Sequence, residues 1–447
     1  MSYRVNTNLP HNWGACSFYR QIQPIVTMCD MGLPIEPILD PTTRGWDQER
    51  LKVFFESDLN IIYQGLSTEL PQMARYAKDM KPMTDENGTM RWPPTLICDT
   101  DDDLFNVMPL NITYQDLGTR DHFGNEMKPG SEVGISHPHE FADESIVSEL
   151  DKQIESRVSG ARADFKDKRY IYNDRTGRWH VYIGLYKDGV NIDFAANRAR
   201  LQYWKDLVSH ANLVTCSTPA ATEYIKREMG DEIRTHVTPN AINFDDYPAV
   251  ELRDHPGEVR ILWAGSASHQ EDLWPITDAL GRVITKYPQA TFTIFGAEYK
   301  WLAGKCPAEQ IRIIPWVDYK AYKIRMATIG HDIALAPLQP TKFNASRSAI
   351  KWYESSALWK PAATLAQNTA AYPEIEEGVT GMLFNDPAEF EEKLGIMIEN
   401  ETLCKTMASN AKDWVNTNRE AKKVALALFQ KWTEVREGHK LTMPPEK

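Results

Sequence analysis

After residue 258 the chain settles into a regular alternation that leaves few folds open to it. Short apolar runs, VRILW at 259–263, TFTIF at 291–295, IRII at 311–314, IALA at 333–336 and a fifth at 361–365, are separated by longer amphipathic stretches and turn residues. Runs this short suit strands covered on both faces, so the alternation predicts a parallel sheet wrapped by helices. Between the first two runs, Leu273, Ile276, Leu280, Val283 and Ile284 share one face at helical spacing, which predicts a helix over 272–287. The first half repeats the pattern more loosely. NIIY at 60–63, TLIC at 95–98 and LVTC at 213–216 read as strands, and Ser217 and Thr218 then cap a helix through Glu228.

At 447 residues the chain is too long for one hydrophobic core. The polar stretch 238–248 separates the two alternating halves. They predict a Rossmann-like domain over 1–248, a second over 249–415, and a helix within 416–447 that packs back on the first domain. Two doubly wound α/β sheets facing a cleft bind ligands beyond the carboxyl ends of their strands. With 62 acidic against 50 basic residues, the formal charge of −12 argues against the whole surface serving as a nucleic-acid or anionic-membrane platform. No apolar run approaches the roughly 18 residues that span a bilayer, and the N-terminus has no leader pattern. The six cysteines are scattered and include no CxxC pair, so a cytoplasmic protein without a zinc site or a disulfide framework is expected.

One segment departs from the acidic balance. Residues 157–187 carry Arg157, Arg162, Lys166, Lys168, Arg169, Arg175, Arg178 and Lys187 against three aspartates, and RYIYNDRTGRWHVYI at 169–183 predicts a basic β-hairpin insertion. Arg169, Arg175 and Arg178, interleaved with Tyr170, Tyr172, Trp179 and Tyr182, could track a phosphodiester backbone; the alternative is a hairpin that packs on the fold.

The densest chemistry lies in FNASRSAIKWYESSALWKP at 343–361, where a loop after a predicted strand opens a helix. Free backbone N–H groups and the positive helix end there attract a diphosphate. Arg347 and Lys351, four apart on a helix face, would supply cationic charge to a departing nucleoside diphosphate; Glu354 would accept the ribose hydroxyls; Asn344, Ser346 and Ser348 are further donor-binding candidates. The plainer alternative is a solvated helix face with an ion pair. In WAGS at 263–266, Gly265 allows a phosphate close to the backbone and Ser266 can donate to it, with His269 nearby; a simple strand-to-helix turn is the alternative. The run Asp99-Thr-Asp-Asp-Asp103 could hold a divalent metal, orient an acceptor through Asp101 and Asp102, or form a capped acidic turn. His137 and His139 lack a third ligand nearby and read as a surface loop.

Together these segments resemble the group-1 retaining glycosyltransferases, especially a branch met in bacteria and bacteriophages. The resemblance rests on Glu354, Ala357, Lys360-Pro361, YPEI at 372–375 and GVTG at 378–381, with WAGS at 263–266 as the first loop of the second domain. NWGACSFYR at 12–20 resembles the family's N-terminal glycine loop through Gly14, beside Trp13, and the segments at 215–218 and 239–242 resemble the end of its first domain. The likeness is specific from about 259 to 385. One position departs: the first of the family's paired acidic residues falls on Ser346.

The resemblance implies the GT-B architecture and metal-independent transfer of a hexose or pentose with retained anomeric configuration. The donor would be a UDP- or GDP-linked sugar, with no other cofactor, and the leaving diphosphate would meet Arg347 and Lys351. The acceptor would be a glycan, a lipid, or a hydroxylated base of phage DNA. A nucleotide-sugar epimerase and a non-catalytic binding module share the same shape.

Overall fold

The apolar runs do fold as strands, in two separate parallel sheets. The structure, a computed structural model, describes residues 2–9, 15–41, 46–84, 88–109, 111, 113–121, 124–158, 160–174, 177–250, 256–297, 302 and 304–442. In the first half β1 (Tyr3–Leu9), β2 (Ile35–Pro41) and β3 (Leu59–Tyr63) are followed by a short hairpin, β4 (Met83–Thr84) and β5 (Met90–Arg91), and then by β6 (Thr95–Thr100). A four-stranded antiparallel module comes next: β7 (Glu132–Phe141), β8 (Arg162–Phe165), β9 (Lys168–Asn173) and β10 (Arg178–Lys187). The chain then returns to the first sheet with β11 (Leu213–Cys216) and β12 (Thr235–Val237), giving the order β12-β11-β6-β3-β1-β2.

Three strands of this sheet escaped the periodicity argument, and β1 shows why. Its YRVNTNL carries Asn6 and Thr7, both buried, because Asn6 Nδ2 donates to Asn60 Oδ1 of β3 at 2.8 Å. A buried polar group that finds a partner two strands along the chain leaves no apolar run to read.

The second sheet is β13 (Val259–Gly265), β14 (Ala290–Gly296), β15 (Ile311–Pro315), β16 (Ile333–Ala336), β17 (Ala363–Gln367) and β18 (Met382–Phe384). Its order, β15-β14-β13-β16-β17-β18, starts in the centre, moves outward, and crosses back to the other side. The switch falls between β13 and β16, where a crevice must open. Two boundaries differ from expectation for a backbone reason. The fifth strand begins at Ala363 and not Pro361, since proline offers the ladder no N–H. The expected helix over 272–287 breaks into short turns through Trp274–Ile276 around Pro275 before a regular helix, Thr277–Lys286, buries Leu280, Val283 and Ile284.

The helix Ala421–Leu441 leaves the second domain and lies on the first, where Ala425, Leu428, Trp432 and Val435 share a core with Val5, Ile25, Leu59 and Ile97. Arg436 on this helix reaches Asp58 at 2.8 Å. Among the described residues no helix is long and apolar enough to cross a membrane.

The antiparallel module revises the basic hairpin. β9 and β10 pair as expected, but they are the inner strands of a unit that begins at Glu132 and not near 157. Tyr170, Tyr172 and Trp179 are not a stacking platform: with Leu150, Ala163 and Val181 they are the module's own core. Its cations are engaged locally. Arg169 binds Asp164 at 2.8 Å, Arg162 and Lys187 flank Glu132, and Arg178 lies 4.7 Å over the Phe141 ring. Arg175 lies outside the described residues, as do the side chains of His137 and His139.

Candidate active site

The strand ends at the switch point build one cavity of about 420 Å³ between the domains, a size suited to a drug-sized or nucleotide ligand. Its floor is the end of β13. A Cβ on Gly265 would fall 2.6 Å from the Trp263 ring and 3.1 Å from Lys351 Nζ, and one on Gly296 of the neighbouring strand, at φ +111°, would fall 2.5 Å from the Gly265 carbonyl oxygen. A side chain fits at neither position, and the bare backbone of both lines the cavity.

The loop after β16 supplies the cations, though not as one helical face. A short helix, Lys342–Ala345, ends before Arg347, and the next, Ile350–Ala357, begins after it. Arg347 thus sits on the connecting turn while Lys351 lies in the first turn of the second helix. The N-cap of that helix, Ala349, has no side-chain acceptor to offer, so no side chain caps its positive end, and Ser348, Ile350 and Lys351 beside it line the cavity. Lys351 Nζ donates to the Ala264 carbonyl. Burial pushes the Lys351 ammonium down to about 8, against the opposing pull of Glu354 and Asp272. The charged form exists below that pH and disappears above it, so the affinity for an anion bound here is expected to fall as pH rises through about 8. Lys351→Arg, which stays charged, is expected to flatten that profile in a calorimetric titration; an unchanged slope would remove Lys351 from any anion contact.

Glu354 faces the same cavity, buried, with Tyr19 Oη donating to Oε1 at 2.7 Å and Tyr322 Oη to Oε2 at 3.0 Å. Burial raises its pKa while the Tyr19 hydrogen bond and Lys351 pull it back. Tyr19 comes from the first domain, on a π-helical turn, Phe18–Ile22, and Tyr322 stacks on Phe295 with ring centroids 5.4 Å apart. With Trp316, which is 68% exposed, they give the cavity an aromatic end.

His269 lines the wall beside Arg347. Burial first, then Lys351 and Arg347, push its pKa down to about 3, so the ring is neutral. Its Nδ1 lies 2.8 Å from Asp272 Oδ2, and Arg347 Nη1 approaches Nε2 at 3.2 Å. Asp272 in turn accepts Asn344 Nδ2 at 2.9 Å.

The acidic run at the end of β6 stands opposite, with Asp101 and Asp102 in the cavity wall, and each of its carboxylates is separately occupied. Asp99 accepts Arg20 and Thr215; Asp101 accepts Tyr63 and Gln64; Asp102 accepts Arg347; Asp103 accepts Phe105 N and Asn106. Among the described residues no group of three or more His, Cys, Asp or Glu side chains is placed to hold a metal ion. Burial, then the adjacent Asp102, push Asp101 up to about 6.

Of the sequence-derived candidates, Arg347, Lys351, Glu354, Gly265, Ser266, His269, Ser348, Asp101 and Asp102 all line this cavity. Asn344 and Ser346 do not. Asn344 is turned onto Asp272, and Ser346 Oγ accepts Asp103 N at 2.9 Å and donates to Phe343 O at 2.8 Å, so both are spent holding the loop. Arg169 and Arg178 stand in the antiparallel module, away from the cavity lining, and Gly14 lies outside the described residues. Tyr19, Tyr322, Phe295 and Trp316 were missed because isolated aromatics carry no spacing signal; Tyr19 at least lay inside the glycine-loop segment.

No protein-family model matches the chain, and no curated protein sequence matches it. Solved structures do. Sucrose-phosphate synthase from Thermosynechococcus elongatus aligns over 98% of this chain and 100% of its own, at 10% identity and a TM-score of 0.57. Anabaena HepE, solved with UDP and glucose, aligns over 97% and 100% at 12% identity and 0.56. A glycosyltransferase from Rickettsia africae aligns over 97% and 98% at 10% identity and 0.52. The chain has the GT-B fold. At such identities the likeness extends to the architecture alone: both domains, their order, and the cleft between them.

Proposed function

We propose that this protein is a glycosyltransferase that takes a sugar from a nucleotide-sugar donor and places it on an acceptor hydroxyl. One observation carries the reading: Arg347, Lys351, Glu354 and the uncapped N-terminus of the helix Ile350–Ala357 converge on one cavity at the topological switch of the second sheet. The GT-B neighbour solved with UDP and glucose supports it.

In this reading the diphosphate lies along Gly265 and the helix mouth. Arg347 and Lys351 take up the charge that grows on the leaving phosphate, the type of preorganised stabilisation that contributes most in such transfers. Glu354 turns from its tyrosines to the ribose hydroxyls, and the aromatic end near Phe295 and Trp316 receives the base. His269, being neutral, donates from Nδ1 to Asp272 and offers Nε2 as an acceptor to Arg347, which steadies the guanidinium without adding charge. The group-1 motif implies retention at the anomeric carbon and no dependence on a metal.

The acceptor would enter from the first domain, against Asp101 and Asp102. We favour a glycan or lipid-linked hydroxyl over a DNA base, because Tyr170, Tyr172 and Trp179, three of the four aromatics that were to stack on nucleic acid, are instead the core of the antiparallel module, and the fourth, Tyr182, lies under Arg162.

A melting-temperature panel of UDP- and GDP-linked sugars tests the donor. A ligand at about a hundred times its Kd is expected to stabilise the fold by ~2.7 kcal/mol, and no shift with any of them would end the proposal. Product analysis with donor alone then separates transfer from epimerisation, which needs no acceptor.

A further inference from the structure

Two groups that serve the donor and the acceptor in this reading are bound to each other. Arg347 Nε donates across the cleft to Asp102 Oδ1 at 3.3 Å, with side-chain exposures of 17% and 22%. The guanidinium that should meet the diphosphate is therefore already facing a carboxylate from the opposite domain. Its neighbours are fastened to that domain as well. Ser346 Oγ accepts Asp103 N at 2.9 Å, Thr218 Oγ1 donates to Ser346 O at 2.7 Å, and Asn240 Nδ2 donates to Ser348 Oγ at 2.8 Å. With residues 346 and 348 both held, the turn cannot withdraw; only the Arg347 side chain can leave Asp102.

We propose that Asp102 is a built-in competitor of the donor's diphosphate for Arg347, and so a determinant of how strongly, and which, nucleotides bind. A ligand whose terminal phosphate takes the Nε edge of Arg347, the edge that Asp102 holds, must displace the carboxylate, and its apparent affinity is lowered by the fraction of molecules in which the pair is intact. A nucleoside monophosphate, one phosphate shorter, is gripped by the glycine floor and the aromatic end and leaves the pair in place. The contact thus costs affinity for diphosphates alone. It also holds the two cleft walls together before the donor arrives.

This proposal rests on the donor reading above, and the test separates the two. Binding of UDP, GDP, UMP and GMP is measured by calorimetry on the full chain, on Asp102→Asn, on Arg347→Gln, and on the double variant, with cooperative melting as the check of folding and Asp102→Ser as a second replacement. The expected result is that Asp102→Asn binds its diphosphate about fivefold tighter, as removal of a partly exposed ion pair allows, with the monophosphate unchanged. In the Arg347→Gln background the same replacement is expected to do nothing. A monophosphate that tightens equally, or a diphosphate that still tightens without Arg347, would mean that only a negative charge had been removed from the cavity, and the competitor is overturned. It is equally overturned if Asp102→Asn leaves diphosphate affinity as it was. If no variant and no parent chain binds any of the four nucleotides, the donor reading itself has failed.

Discussion

Arg347→Ala is expected to lower release of nucleoside diphosphate from the cognate donor by roughly a hundred- to a thousandfold at saturating donor, the loss seen when one preorganised donor to a developing anion is removed. The size follows from place. Arg347 stands on a turn held at both flanks to the first domain, so its guanidinium is placed before the donor arrives. Lys351→Ala should act in the same direction, and the Lys351→Ala, Glu354→Ala pair should also abolish the nucleotide-induced rise in melting temperature. A threefold loss or less for Arg347→Ala, with donor binding intact, would take the leaving-group role away from this turn.

The largest expected effect on stability comes from a residue outside the cavity's chemistry. Arg20 lies on the π-helical turn with its guanidinium against Asp99, at 2.6 Å from Oδ1 and 3.0 Å from Oδ2, and also bonds Thr238 O and Asn240. Side-chain exposures are 2% and 3%. Arg20→Ala leaves the Asp99 carboxylate buried without a counter-charge, which costs about 3–5 kcal/mol. The expected readout is a lower urea midpoint at an unchanged slope for the transition of the first domain. Because the same guanidinium ties β6 to the interdomain segment at 238–240, Arg20→Ala should also loosen the cleft and weaken nucleotide binding. A loss below about 1 kcal/mol would mean that water enters and solvates Asp99 in its place.

Much of the architecture was legible because strand burial repeats locally. VRILW, TFTIF and IALA became β13, β14 and β16 within a residue or two, since a strand covered on both faces needs no information beyond its own apolar run; IRII became β15 although it lies half-exposed at the sheet edge. Where boundaries slipped, a proline decided them: Pro275 broke a helix whose apolar face was otherwise continuous, and Pro361 delayed a strand. The antiparallel module was misjudged because alternating aromatics and cations look alike whether the aromatic face meets solvent or the helix Glu144–Asp151.

The candidate site divides along the same line. Arg347, Lys351, Glu354, Gly265 and His269 could be picked out because loop-to-helix junctions with glycine, serine and cations announce anion sites from a few consecutive residues. That Asn344 turns onto Asp272 and Tyr322 caps Glu354 was decided by the packing of the second domain, and that Tyr19 caps Glu354, Ser346 meets Asp103 and Asp102 holds Arg347 from 245 positions away was decided only when the domains came together. Periodicity and turn chemistry are properties of neighbours along the chain, and they determined the two sheets and the mouth of the cavity. Which side chain occupies which other is a property of neighbours in space, and a hydrogen bond across a cleft leaves no spacing behind it in the sequence.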